Sequence, residues 1–178
     1  MAKTKTIYQR GADNGLWLGL CFLAIFAAAT AAMSVAAVNI VAIALALMVP
    51  CLCFRFLRRT YVDGHGMTTF SALWMQGIVG FACGSVIFGT GTYVYMRFAD
   101  PTFITRVITA GIEYYAQSPV ESAREIGLEL QKMIDMRLTP RPQDVCLVWM
   151  WAIIFSGSLL SMLVAGIVRL RRVPTSVM

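Results

Sequence analysis

Apolar residues run along the chain in four long blocks, and the charges are confined to the gaps between them. Lys3, Lys5, Arg10 and Asp13 precede the first block, which is uncharged from Gly15 to Met33. A second uncharged block follows almost at once, from Ala36 to Phe54, and ends at Arg55. Read as one helix, residues 15–54 would be about 60 Å long, roughly twice the hydrocarbon thickness of a bilayer. Two spans joined by a tight turn near residues 33–37 are therefore expected, although no Gly or Pro marks that turn. The third block, Phe70 to Tyr95, carries Gln76 and several threonines but no charge, and the fourth, Val145 to Val168, ends in Arg169-Leu170-Arg171-Arg172. The pattern predicts an all-α integral membrane domain with spans at about 15–33, 36–54, 70–95 and 145–168.

The gaps differ in kind. Residues 55–69 hold Arg55, Arg58, Arg59, the turn-prone Asp63-Gly64, His65 and Gly66, and read as a short loop. Residues 97–144 hold seven of the nine acidic residues, six basic residues and four of the six prolines, a composition that belongs outside hydrocarbon. Within that loop Phe103, Ile104, Val107, Ile108, Ile112 and Tyr115 recur at helical spacing, and so do Val120, Ala123, Ile126, Leu130, Met133 and Ile134 after Ser118-Pro119. Glu121, Glu125, Glu129 and Lys132 supply the second segment's polar side. Two amphipathic helices between spans 3 and 4 are the expectation, closed by Thr139-Pro140-Arg141-Pro142.

Composition and charge narrow the class. At 58% hydrophobic and 13% charged, the chain falls outside the soluble globular range. Its net charge of +6 could signal nucleic acid, but the basic residues form short clusters abutting apolar blocks, which is a topology pattern. Nucleic acid is therefore not an expected partner, whereas membrane lipid is. Counting Lys and Arg places both termini and residues 55–69 on the cytoplasmic side. Trp17 and Trp74, and Tyr93, Tyr95, Trp149 and Trp151, then serve as interface anchors. A cleaved signal peptide fits less well, because Asp13 interrupts the leading region and a second span follows directly.

Candidate chemistry is sparse. No ionisable residue lies inside a span, which disfavours a proton-coupled transporter. The polar span residues, Gln76, Asn39 and hydroxyls such as Thr30, Ser85, Thr90, Ser156, Ser158 and Ser161, are all expected to bond back to their helix or to a neighbour. The cysteines fall in or beside apolar blocks, Cys51-x-Cys53 is too short for a zinc half-site, and His65 lacks a second ligand, so no metal, cofactor or catalytic residue is assigned. The clearest motif is one of packing. Gly77, Gly80 and Gly84 on span 3, and Gly157, Ser161 and Ala165 on span 4, form small-residue stripes that predict close approach of those two helices. The arginine clusters, Arg55, Arg58 and Arg59 with Arg169, Arg171 and Arg172, suit lipid phosphate.

Arg58-Arg59 followed by Gly66-Met67-Thr68-Thr69-Phe70-Ser71-Ala72, with Gly77 beyond, resembles the entry to the third span in small bacterial membrane proteins of the domain of unknown function 4199 family. Phe98-Ala99-Asp100-Pro101-Thr102-Phe103 is similar to that family's exit from the same span. The resemblance implies a four-span fold in a bacterial inner membrane and brings no activity. The alanine-rich first hairpin and Cys51-x-Cys53 depart from it. The expected function is a non-enzymatic assembly or interaction component, acting with itself or with another membrane protein. The alternative is a small-molecule or lipid transport component acting as an oligomer.

Overall fold

A computed structural model describes residues 6–33, 37–64, 66–136 and 138–170. Among these every regular element is helical: α1 (Ile7–Ala32), α2 (Val38–Asp63), α3 (Phe70–Val94), α4 (Phe103–Ala116), α5 (Glu121–Asp135) and α6 (Pro142–Leu170), with α3 continuing as a π-helical turn over Tyr95–Ala99. Four helices, α1, α2, α3 with its π turn, and α6, are long and apolar enough to cross a membrane. The turn expected near residues 33–37 falls largely on residues 34–36, and His65, Arg171 and Arg172 also lie outside the described residues.

The helices outrun the apolar blocks. α1 starts at Ile7, eight residues before the first uncharged block, because Thr6 and Gln9 form a capping box: the Thr6 hydroxyl accepts from the Gln9 amide at 3.3 Å, and the Gln9 side chain accepts from the Thr6 amide at 3.1 Å. α2 continues through Arg55, Arg58 and Arg59 to Asp63, where a loop was expected. Apolarity marks the part of a helix in lipid and does not mark its end. The stop comes from Gly64 and from Gly66, whose φ of 74° is left-handed and whose amide reaches back to the Tyr61 carbonyl at 3.0 Å. α6 begins on Pro142, a favoured first helical residue because its missing N–H would have no partner there. Pro50 lies inside α2 and withholds the N–H that the Ala46 carbonyl would otherwise accept from.

The chain forms two compact units. In the first, Met1–Thr90 with Val148–Met178, α3 is the hub. Its Leu73 and Phe81 join Leu18 and Cys21 of α1, Cys53 and Leu57 of α2, and Val164, Ala165 and Val168 of α6 in one core. Phe26, Phe88 and Trp149 add an aromatic group with ring centroids 6.0–6.1 Å apart. The five cysteines are free thiols.

The second unit, Gly91–Leu147, contains α4 and α5 packed on each other. Gly127 brings α5 against Tyr115 and Ala116 of α4, and Leu130 lies over Gly111. Asp100 organises the entry to α4: its carboxylate accepts from the Thr102 amide at 3.2 Å and the Thr102 hydroxyl at 2.8 Å, and it pairs with Arg106. The Arg106 guanidinium in turn sits 5.9 Å from the centre of the Phe103 ring.

Candidate functional site

Three features of the first unit could carry function: its small-residue seams, a buried polar node, and a polar cleft lined by arginines. The seams come first because they position the rest. Gly11, Gly15 and Gly19 recur every fourth residue along α1 and meet Gly80 and Gly84 of α3 backbone to backbone. A methyl group on Gly15 would lie 2.8 Å from the Gly80 carbonyl oxygen and 2.6 Å from the Cys83 Cβ, so side-chain volume is excluded there. Gly80 and Gly84 thus face α1, not the α6 stripe with which they were expected to pair. The α3–α6 seam uses other residues. Gly77 receives Ser161, Gly157 receives the Phe81 ring, and Gly89 receives Met150. Ala165 is fully buried in the same core. This is a side-chain-into-notch contact, and the Trp74 indole reinforces it by donating to the Ser158 carbonyl at 3.2 Å.

The polar node lies between α2, α3 and α6. Gln76 is 1% exposed and donates through Nε2 to the Thr60 hydroxyl at 2.9 Å, while its Oε1 has no partner among the described residues. Ser161 is fully buried with the Cys53 thiol beside it, but among the described residues its hydroxyl has no partner in hydrogen-bond geometry. The expectation that every polar span group is satisfied therefore holds for Thr30, Ser85, Thr90 and Ser156, which bond back to carbonyls three or four residues earlier, and fails at Gln76 and Ser161. Small neighbours such as Gly77 let these side chains approach without giving each a partner. Gln76→Leu is accordingly expected to leave thermal stability in detergent within about 1 kcal/mol of the parent, since it removes one modest interhelical bond together with an unpaired buried carbonyl. A large loss would mean that Gln76 holds a partner of greater value than Thr60.

The cleft lies where the start of α1 meets the end of α2. Arg10 and Asp63 form an ion pair there at 2.7 Å, and Asp13, Asn14, Trp17, Phe56, Arg59 and Thr60 complete a cavity of about 310 Å³. Arg55 and Arg59, one helical turn apart, stand on that side of α2; Arg58 is exposed but lines neither this cleft nor its neighbour. Arg169 is exposed on α6 and does not line this cleft. Among the described residues no three His, Cys, Asp or Glu side chains converge as metal ligands would.

Four membrane-competent helices around a shared apolar core place the chain among multi-pass α-helical membrane proteins. More narrowly, it belongs to the family described as protein of unknown function DUF4199, whose model matches residues 13–169. That match takes in the α4–α5 pair, the α3–α6 seam, and all of the cleft and the α1–α3 seam except Arg10 and Gly11. No curated protein and no solved structure matches the chain.

Proposed function

We propose that this protein is a non-enzymatic interaction component of a bacterial inner membrane, with both termini cytoplasmic and the α4–α5 hairpin presented on the opposite face to a membrane-protein partner or a second copy. The observation that carries this reading is the way the hairpin divides its surface. The inner residues of the two amphipathic stripes, Ile108, Ile112, Tyr115, Ala123, Leu130 and Met133, are at least half-covered, whereas Tyr114, Val120, Leu128 and Met136 remain 55–75% exposed. Exposed aromatic and aliphatic side chains on a helical pair that has already buried its own seam are what a protein partner covers. The basic clusters beside the spans support the orientation.

The transport reading draws on the polar residues of α3 and α6. Gln76, Ser85 and Ser161 are 0–1% exposed and face packed side chains, so the interaction reading has the stronger support.

A photo-reactive residue placed at Tyr114 in cells should yield one discrete crosslinked product, and the same residue at Thr109, exposed on another side of α4, should not. A single cysteine at Ser118, in a background lacking the native five, should be labelled only from outside. A monodisperse monomer with no crosslink at Tyr114 would overturn the proposal.

A further inference from the structure

The polar cleft continues into an apolar groove. Trp17 and Phe56 line both, and from them the groove runs between α1 and α2 past Leu20 and Ala24 on one side and Leu45, Met48 and Leu52 on the other, with a volume of about 680 Å³. That is within the roughly 300–1,000 Å³ typical of small-molecule sites. Arg55 stands on its rim and Arg59 in the adjoining cleft. Trp17 is 63% exposed, Leu20 48% and Met48 43%, so the groove opens sideways, from helices apolar enough to lie in lipid. A polar, cationic head compartment joined to an apolar channel is the shape of one class of ligand. We propose that the groove between α1 and α2 is a binding site for a phospholipid with an anionic head group, its phosphate held by Arg55 and Arg59 and one acyl chain lying along Leu20, Leu45, Met48 and Leu52.

Charge selects the head group. Among the described residues that line the cleft and the groove, three arginines, Arg10, Arg55 and Arg59, stand against two carboxylates, Asp13 and Asp63, and Asp63 is already engaged by Arg10 at 2.7 Å. Neither Arg55 nor Arg59 has a carboxylate partner among the described residues. A head group carrying net negative charge offsets the surplus guanidinium, and a zwitterionic one brings a second cation into a compartment that already has an excess. Guanidinium suits this task because its planar fork donates two parallel hydrogen bonds to phosphate oxygens. Trp17, an indole where polar cleft meets apolar groove, matches the chemistry of the glycerol level of a lipid. A free phosphate or a sugar phosphate would use the cleft and leave the groove unexplained.

The site lies wholly within the first unit, and it can be tested in the full-length protein. In nanodiscs of phosphatidylcholine, a small fraction of brominated-chain phosphatidylglycerol should quench tryptophan fluorescence well beyond the same fraction of brominated phosphatidylcholine. Trp17→Phe should remove that difference, because the other three tryptophans do not line the groove. Arg55→Ala and Arg59→Ala should each reduce the preference roughly fivefold. Arg58→Ala, with the same loss of charge on the same helix, should leave the preference in place. All three arginines are exposed on α2, so the variants keep the fold, which circular dichroism checks. Equal quenching by the two lipids, or equal losses from all three arginine variants, would overturn the proposal and leave only diffuse surface attraction. Competition by millimolar glycerol phosphate would also overturn it, by showing a soluble-anion site.

Discussion

Gly15→Leu is expected to prevent stable folding, lowering the free energy of unfolding in detergent by about 3 kcal/mol or more. The residue sits where α1 and α3 touch through their backbones. The first carbon of any side chain would approach the Gly80 carbonyl to 2.8 Å and the Cys83 Cβ to 2.6 Å, and the rest of a leucine would have no space beyond them. Flexible side chains can turn away from such a clash, but a helix backbone cannot, so α1 would have to move off α3. In a membrane protein that separation is not opposed by water, because lipid is as apolar as the seam; close packing itself is the driving force being lost. With total stabilities of roughly 5–15 kcal/mol, the loss is a large share of what holds the domain.

The contrast is Gly166→Ala on α6, where a methyl group meets nothing within 4 Å and helix propensity favours alanine by up to about 1 kcal/mol. Thermal unfolding of the two variants should therefore move in opposite directions. Gly15→Ala should fall between them, and combining it with Cys83→Gly should recover part of the loss, because one of its two close contacts is then gone. An unchanged midpoint for Gly15→Leu would mean that α1 does not lie on α3 as described.

The distance between the expected seam and the observed one shows what the sequence makes legible. Four spans, the break between α1 and α2, and the two helices of the long loop follow from apolar blocks and helical periodicity, which report burial in lipid or against a neighbour one residue at a time. A helix partner is a pairwise property. Gly80-x-x-x-Gly84 declares that some backbone comes close without saying whose, and α3 carries a second set of notches at Gly77 and Gly89 on the side facing α6. The evenly spaced Gly11, Gly15 and Gly19 were the available signal for α1, since three glycines at that spacing in an apolar helix have little other use. Thr6-x-x-Gln9 was likewise readable as the start of α1, and Gly64 with Gly66 as the stop of α2. Both lie beyond the apolar blocks, where hydropathy gives no information. The cleft is different again. Arg10 and Asp63 are 53 residues apart, and nothing in their local sequence joins them; only the antiparallel return of α2 along α1 does so. The cationic character of the helix end was legible in Arg55 and Arg59, but its continuity with an apolar groove through Trp17 and Phe56 belongs to the fold.

The α3–α6 seam should respond to loss of volume as strongly as the α1–α3 seam responds to gain. Phe81 is 3% exposed, its ring lies on the notch left by Gly157, and a second face meets Phe22 at a centroid distance of 6.1 Å. Phe81→Ala is expected to cost about 3–5 kcal/mol, because α6 cannot close onto a truncated α3 while Ser161 already fills the neighbouring notch at Gly77. Lipid cannot reach the space, so the dispersion contacts of the ring are lost outright. Gly157→Leu should fail for the opposite reason, its side chain meeting the Phe81 ring. The pair distinguishes a specific fit from general fragility: Phe81→Ala with Gly157→Leu refills part of the same volume from the other helix and should be more stable than the sum of the single losses implies. A favourable coupling of 1 kcal/mol or more, on the order seen for contacting residues, is the expected reading from unfolding midpoints of the two single variants and the double variant. Strict additivity would show that Phe81 and Gly157 are not partners, and the placement of α6 on α3 would fall with it.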